Sequence, residues 1–151
     1  MTVIKDLKII GISVRTTNKD NQASQDLGKL WEQFFAENVS GRAPHKLNDN
    51  IYTVYTDYKS NYTEEYTAII GVPVSDISDI PEGLIGREFP AENFQLFTPK
   101  GKMPDAVVKT WLDIWKNDSS LNRKYTYDLE VYGKNCQNGD ESEVEIFIAV
   151  N

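Results

Sequence analysis

The sequence predicts an α+β fold: duplicated β-α-β-β units forming one curved antiparallel sheet, with two helices on one side. Three observations lead there. Segments rich in β-branched and aromatic residues alternate with two amphipathic helical segments, in the same order twice. The two helical segments match at a spacing of 80, with Trp31, Phe34 and Phe35 standing against Trp111, Ile114 and Trp115. The strands that follow match at 75, with Tyr52 and Val54 against Tyr127 and Leu129. Two aromatic helices can agree by coincidence, but a shared order at a shared period is what a duplication leaves behind.

Taken in chain order, residues 7–16 are dense in β-branched side chains and read as a strand. Leu27, Leu30, Trp31, Phe34 and Phe35 then fall at helical spacing, with Ser24 as the expected N-cap and Gly41 and Pro44 marking the exit. Residues 51–58 and 66–74 are two further strands, and the short polar link between them predicts a hairpin. The second half repeats this with a strand at 92–99, a helix opening at Pro104, and strands at 125–132 and 143–150. The expected organisation is one domain over 1–151, with pseudo-repeats at about 7–74 and 84–150.

Composition narrows the function. The chain has 151 residues, 40% of them hydrophobic, with a mean hydropathy of −0.49. That is enough chain to bury a core without disulfides or a metal. The net charge is −7, with 8 basic against 9 acidic residues in 1–75 and 8 against 14 in 76–151. A binder of phosphate backbones needs a basic face, so direct nucleic-acid binding is not expected, whereas a cationic partner is drawn to the C-terminal half. No apolar run is long enough to span a membrane and no signal-peptide pattern opens the chain, so a cytoplasmic location is expected. The Asn-x-Ser/Thr matches at Asn38, Asn61 and Asn117 then carry no meaning.

Cys136 and His45 are the only residues of their kinds. A disulfide within the chain is impossible, and a zinc site would lack ligands. His45 lies in a polar loop and Cys136 in a turn, where a surface histidine and an incidental thiol are the plain readings. There is no Gly-rich phosphate loop or metal-hydrolase motif, so no metal and no cofactor are expected.

Strand pleat offers a candidate site. On 125–132, Tyr125, Tyr127, Leu129 and Val131 form an apolar face expected to meet the helices, while Thr126, Asp128, Glu130 and Tyr132 face away. The spacing of 75 puts Tyr55 at the position equivalent to Glu130. An acid among tyrosines attracts a lipophilic cation through charge, cation–π contact and apolar burial together. A solvated outer strand face carries the same residue types, and the helical aromatics fit a plain core, so alternation alone leaves the choice open.

Residues 51–58, Tyr66-Thr67 leading to Ile70-Gly71, Pro104 with Trp111 to Trp115, and Tyr127-Asp128-Leu129-Glu130-Val131-Tyr132 together resemble the GyrI-like effector-binding family. This is the domain carried by regulators such as BmrR and the AraC-type protein Rob, and it also occurs alone on mobile gene cassettes (integrons). The resemblance implies a cleft between the two halves, expected on the helix-free side of the sheet, that takes small, lipophilic, often cationic molecules. It also implies that Glu130 is the buried carboxylate of that cleft. Tyr55 carries over as a cleft aromatic, and Tyr66, Phe97 and Trp111 do so by motif position. No catalytic residue is assigned. With six residues ahead of the first strand, no helix-turn-helix is expected. Three roles stay open: a stand-alone small-molecule binder, a hydrolase of a reactive small molecule with Glu130 as general acid/base, and a protein-interaction module that docks on gyrase or on a DNA-binding protein.

Overall fold

The computed structural model describes residues 2–151; residue 1, where the expected 1–151 domain begins, lies outside them. Its strands are β1 (Thr2–Ile4), β2 (Leu7–Thr17), β3 (Ile51–Thr56), β4 (Glu65–Pro73), β5 (Ile85–Phe89), β6 (Glu92–Phe97), β7 (Tyr127–Tyr132) and β8 (Glu145–Ala149). Two long helices, α1 (Gln22–Ala36) and α3 (Asp105–Lys116), each lead into a short one, α2 (Val39–Arg42) and α4 (Asp118–Leu121). All eight strands join one antiparallel sheet in the order β1-β6-β8-β7-β3-β4-β2-β5. The expected strands, helices and β3–β4 hairpin are all present. β1 and β5 are additions at the two edges, too short for a periodic signal.

β3 and β7 pair at the middle of the sheet, setting Thr53 opposite Glu130 and Tyr55 opposite Asp128. The two β-α-β-β sets therefore meet through their third elements, and that seam places both candidate residues near one axis. β2 and β4 pair along nine residues, and within that ladder Gly11 faces Gly71. A Cβ on Gly11 would stand 2.1 Å from the Ile70 carbonyl oxygen, so only glycine allows this approach.

Both faces of the sheet are buried, but by different means. On one, Ile10, Ile12, Ile70 and Val72 meet Leu30 and Phe34 of α1, while Ile146 and Ile148 meet Val107 and Ile114 of α3. On the other, Leu7, Ile9, Val54, Phe89, Phe94, Tyr127, Leu129 and Val131 pack together without a helix. The sheet curls so far that Phe89 of β5 lies against Tyr127 of β7, with ring centroids 4.8 Å apart. Each fully buried Leu, Ile or Phe on either face adds about 1.5–3 kcal/mol.

This corrects the expected placement of faces. Tyr127, Leu129 and Val131 point into the helix-free concavity, and Glu130, Tyr55 and Tyr132 point toward the helices. The alternation was real, but a sheet that fills its own hollow needs no helix over its most apolar face. Two smaller corrections concern local signals. Ser24 lies inside the first turn of α1, which Asn21 precedes in a left-handed conformation. Tyr125 stands ahead of β7 with φ 61°, not within the strand.

Candidate functional site

Between α1 and α3, on the helical face of the sheet, lies a cavity of about 580 Å³. The expected cleft on the helix-free side is therefore not where the opening is. Its floor is the β3–β7 seam with Tyr55, Glu130 and Tyr132; its walls are Leu27 and Trp31 on α1 and Val107, Trp111 and Trp115 on α3. Tyr58 and Tyr62, from the β3–β4 link, and Tyr66 of β4 close one end.

Glu130 is 4% exposed. Its Oε2 accepts a 2.6 Å hydrogen bond from the Trp111 indole N–H, and its Oε1 a 2.8 Å bond from the Tyr132 hydroxyl. The Tyr55 hydroxyl is a further polar neighbour of this carboxyl. Burial pushes the Glu130 carboxyl above the ordinary glutamate range, and the polar groups of Tyr132, Trp111 and Tyr55 offset part of that rise. Burial likewise raises Tyr55 and Tyr132, with the Glu130 charge adding to it, so both stay neutral donors. Among the described residues, no lysine, arginine or histidine forms an ion pair with Glu130.

Aromatic rings surround this carboxylate edge to face. The Tyr55 ring lies 5.5 Å from Trp111 and 5.8 Å from Tyr66, and Trp31 lies 5.2 Å from Tyr132. At the outer end Tyr62 stacks on Trp115, 5.6 Å apart and 5° from parallel. Such contacts orient rings with their faces available to a guest, and a negative charge behind them reinforces the attraction for a cation.

Two residues before Glu130 on β7, Asp128 has a different environment. Arg123 Nη2 donates to its Oδ2 at 2.8 Å, the Tyr58 hydroxyl donates to the same oxygen at 2.5 Å, and the Ala149 amide reaches Oδ1 at 2.9 Å. Arg123 also bonds Asp118 and lies over the Tyr125 ring, whose hydroxyl turns to Asp118. Burial pushes Asp128 up, and Arg123 pulls against it.

Of the residues singled out from sequence, the structure brings Glu130, Tyr55, Tyr66 and Trp111 to one cavity. Phe97 is not among them; it borders a separate hollow behind α3 with Pro99, Ile114 and Leu121. Phe97 ends β6, which pairs with β8 and lies on the far side of α3 from the cavity. Tyr132 reaches Glu130 directly, while Arg15 and Asp57 engage the hairpin link and β5. Sequence reasoning missed Trp31, Tyr58, Tyr62 and Trp115 as cavity residues. The match of Trp31 to Trp111 is the signal that could have found the first.

A curled antiparallel sheet with a helix-walled aromatic cavity over a buried acid defines the class of effector-binding domains. The chain belongs to the family of integron-associated effector binding proteins, whose model matches residues 2–150. YobU of Bacillus subtilis (strain 168), described as a candidate transcriptional regulator, is 27% identical over 149 residues, 96% of this chain and 93% of that one. The crystal structure of an integron cassette protein from the mobile metagenome of Vibrio cholerae is 26% identical, with a TM-score of 0.78 over 99% of this chain and 94% of that one. SAV2435, solved bound to tetraphenylphosphonium, shares the fold at 18% identity, with a TM-score of 0.80 over 99% of this chain and 92% of that one.

Proposed function

We propose that this protein binds lipophilic cations in the cavity between α1 and α3, with Glu130 as the counter-charge. One observation carries the reading. Glu130 is a buried carboxylate that receives neutral donors from Trp111 and Tyr132 and, among the described residues, has no cationic partner. An ionised carboxylate in such a place is costly to bury, and a cation entering the cavity offsets that cost. The surrounding rings add cation–π contact and exclude water, which strengthens the Coulomb attraction. The bound tetraphenylphosphonium of SAV2435, a protein of the same fold, supports this choice of ligand class.

Trp31, Trp111 and Trp115 line the cavity and supply a fluorescence signal. A titration with tetraphenylphosphonium and with a neutral compound of like shape, tetraphenylsilane or a soluble derivative, tests the reading. Glu130→Gln is expected to weaken the cation at least tenfold, about 1.4 kcal/mol, and to leave any binding of the neutral compound within twofold. Equal cation affinity in the two proteins would remove Glu130 from the role.

A further inference from the structure

Gly28 lies midway along α1 and lines the cavity. Glycine is a poor helix former, because it loses the most backbone freedom on folding and brings no side chain to pack. A helix retains one where a side chain would collide, where the backbone turns left-handed, or where the missing side chain serves something else. The first two reasons fail here. A Cβ built on Gly28 meets nothing within 4 Å, in contrast to Gly11 and its 2.1 Å clash. Gly28 also stands outside the positive-φ positions of the chain.

The internal repeat supplies the comparison. At the spacing of 80 that matches Trp31 with Trp111, the counterpart of Gly28 is Val108 on α3. Val108 and Leu112, one turn apart at the rim of the cavity, are 53% and 54% exposed. On α1 the cavity is lined by Gly28 and, one turn earlier, by the small Ser24, the counterpart of Pro104; Glu32, the counterpart of Leu112, is not among the lining residues. One lip of the opening thus has apolar side chains where the other has almost none.

We infer that Gly28 is the specificity-determining position of the cavity: its missing side chain sets the width of the opening facing Val108 and Leu112, and admits cations that carry several aromatic rings. The inference rests on the cation-binding reading above and adds a size selectivity to it. A slim cation passes with or without the gap, whereas a four-ringed one needs it.

The test uses the full chain and two probes, tetraphenylphosphonium and the one-ringed benzyltrimethylammonium, titrated by tryptophan fluorescence. Gly28→Ala is expected to melt higher by about 1–4 °C, since the helix gains a better former at a site with room for it. In Gly28→Leu the ratio of tetraphenylphosphonium to benzyltrimethylammonium affinity is expected to fall at least tenfold, with a smaller fall in Gly28→Ala. An unchanged ratio in Gly28→Leu overturns the inference while leaving cation binding intact. A lower melting temperature for Gly28→Ala overturns it too, because the glycine would then answer a need of the backbone. A wild-type protein that takes neither cation brings down the cation-binding reading itself, and the gate with it.

Discussion

Asp128 and Glu130 stand two residues apart on β7, on the same face of the sheet, and both are almost wholly buried. Asp128 is met by the Arg123 guanidinium, the Tyr58 hydroxyl and the Ala149 amide, so its charge is compensated inside the protein. Glu130 is met by the Trp111 indole and the Tyr132 hydroxyl, which give each oxygen a donor and leave its charge uncompensated. The difference separates a carboxylate that holds the fold from one poised for a guest. Arg123 directs its charge to Asp118 and Asp128, which both pair with it, while its buried Nε has no partner among the described residues. Burial alone therefore says little about what an acid does; the identity of its partners says more.

The comparison can be broken most forcefully at Asp128. Asp128→Asn leaves Arg123 buried with only Asp118, and removing one member of such a pair costs about 3–5 kcal/mol. Glu130→Gln removes a charge that has no partner, and its effect on unfolding at pH 7 is expected to stay under about 1 kcal/mol. Urea denaturation of the two variants side by side measures this, and similar losses would erase the distinction between the two acids.

The pH dependence sharpens the same contrast. Burial holds the folded pKa of Glu130 above its unfolded value, about 4.3, so its contribution to stability is fully present below that value. It is lost as pH rises through the raised folded value, where the buried group must ionise. Glu130→Gln is expected to remove that decline, while cation affinity in the wild type rises across the same window. Binding then releases a proton near the folded pKa, readable by calorimetry in buffers of different ionisation enthalpy. A pH-independent affinity with no proton release would contradict an uncompensated Glu130.

The smallest effect is expected at Tyr132. Tyr132→Phe removes one of the neutral donors to the carboxylate, each worth about 0.5–1.5 kcal/mol. Glu130 is then harder to ionise, so cation affinity should fall by about 2- to 12-fold at neutral pH and recover in part at higher pH. A loss that ignores pH would mean that the ring, not the hydroxyl, is what matters.

Much of the architecture could be read from one-dimensional pattern. The aromatic helices, the β-branched strands, the hairpin and the twofold order all stand where periodicity puts them, because each is set by short-range rules of backbone and side chain. Strand alternation put Glu130 and Tyr55 on one face, while Tyr66 and Trp111 came from the family resemblance alone. Which face of β7 meets the helices could not be read, since alternation marks two faces without saying what covers each. Phe97 failed for a related reason: motif position fixes a residue on its strand, and strand order decides what that strand lies beside.

The sequence by itself thus determined the two long helices and six of the strands, their repetition, and the presence of an acid among tyrosines at the third element of the second unit. Only the tertiary structure decided that the sheet would curl and fill its own hollow with Tyr127, Leu129 and Phe94. It also decided that Arg123 would reach Asp128 and leave Glu130 to Trp111 and Tyr132. The physical reason is that local preference acts over a few residues, whereas curl, strand order and charge pairing depend on groups far apart in the chain. Trp111 and Glu130 lie 19 residues apart and Tyr55 lies 75 from Glu130, and only the meeting of β3, β7 and α3 makes them one site.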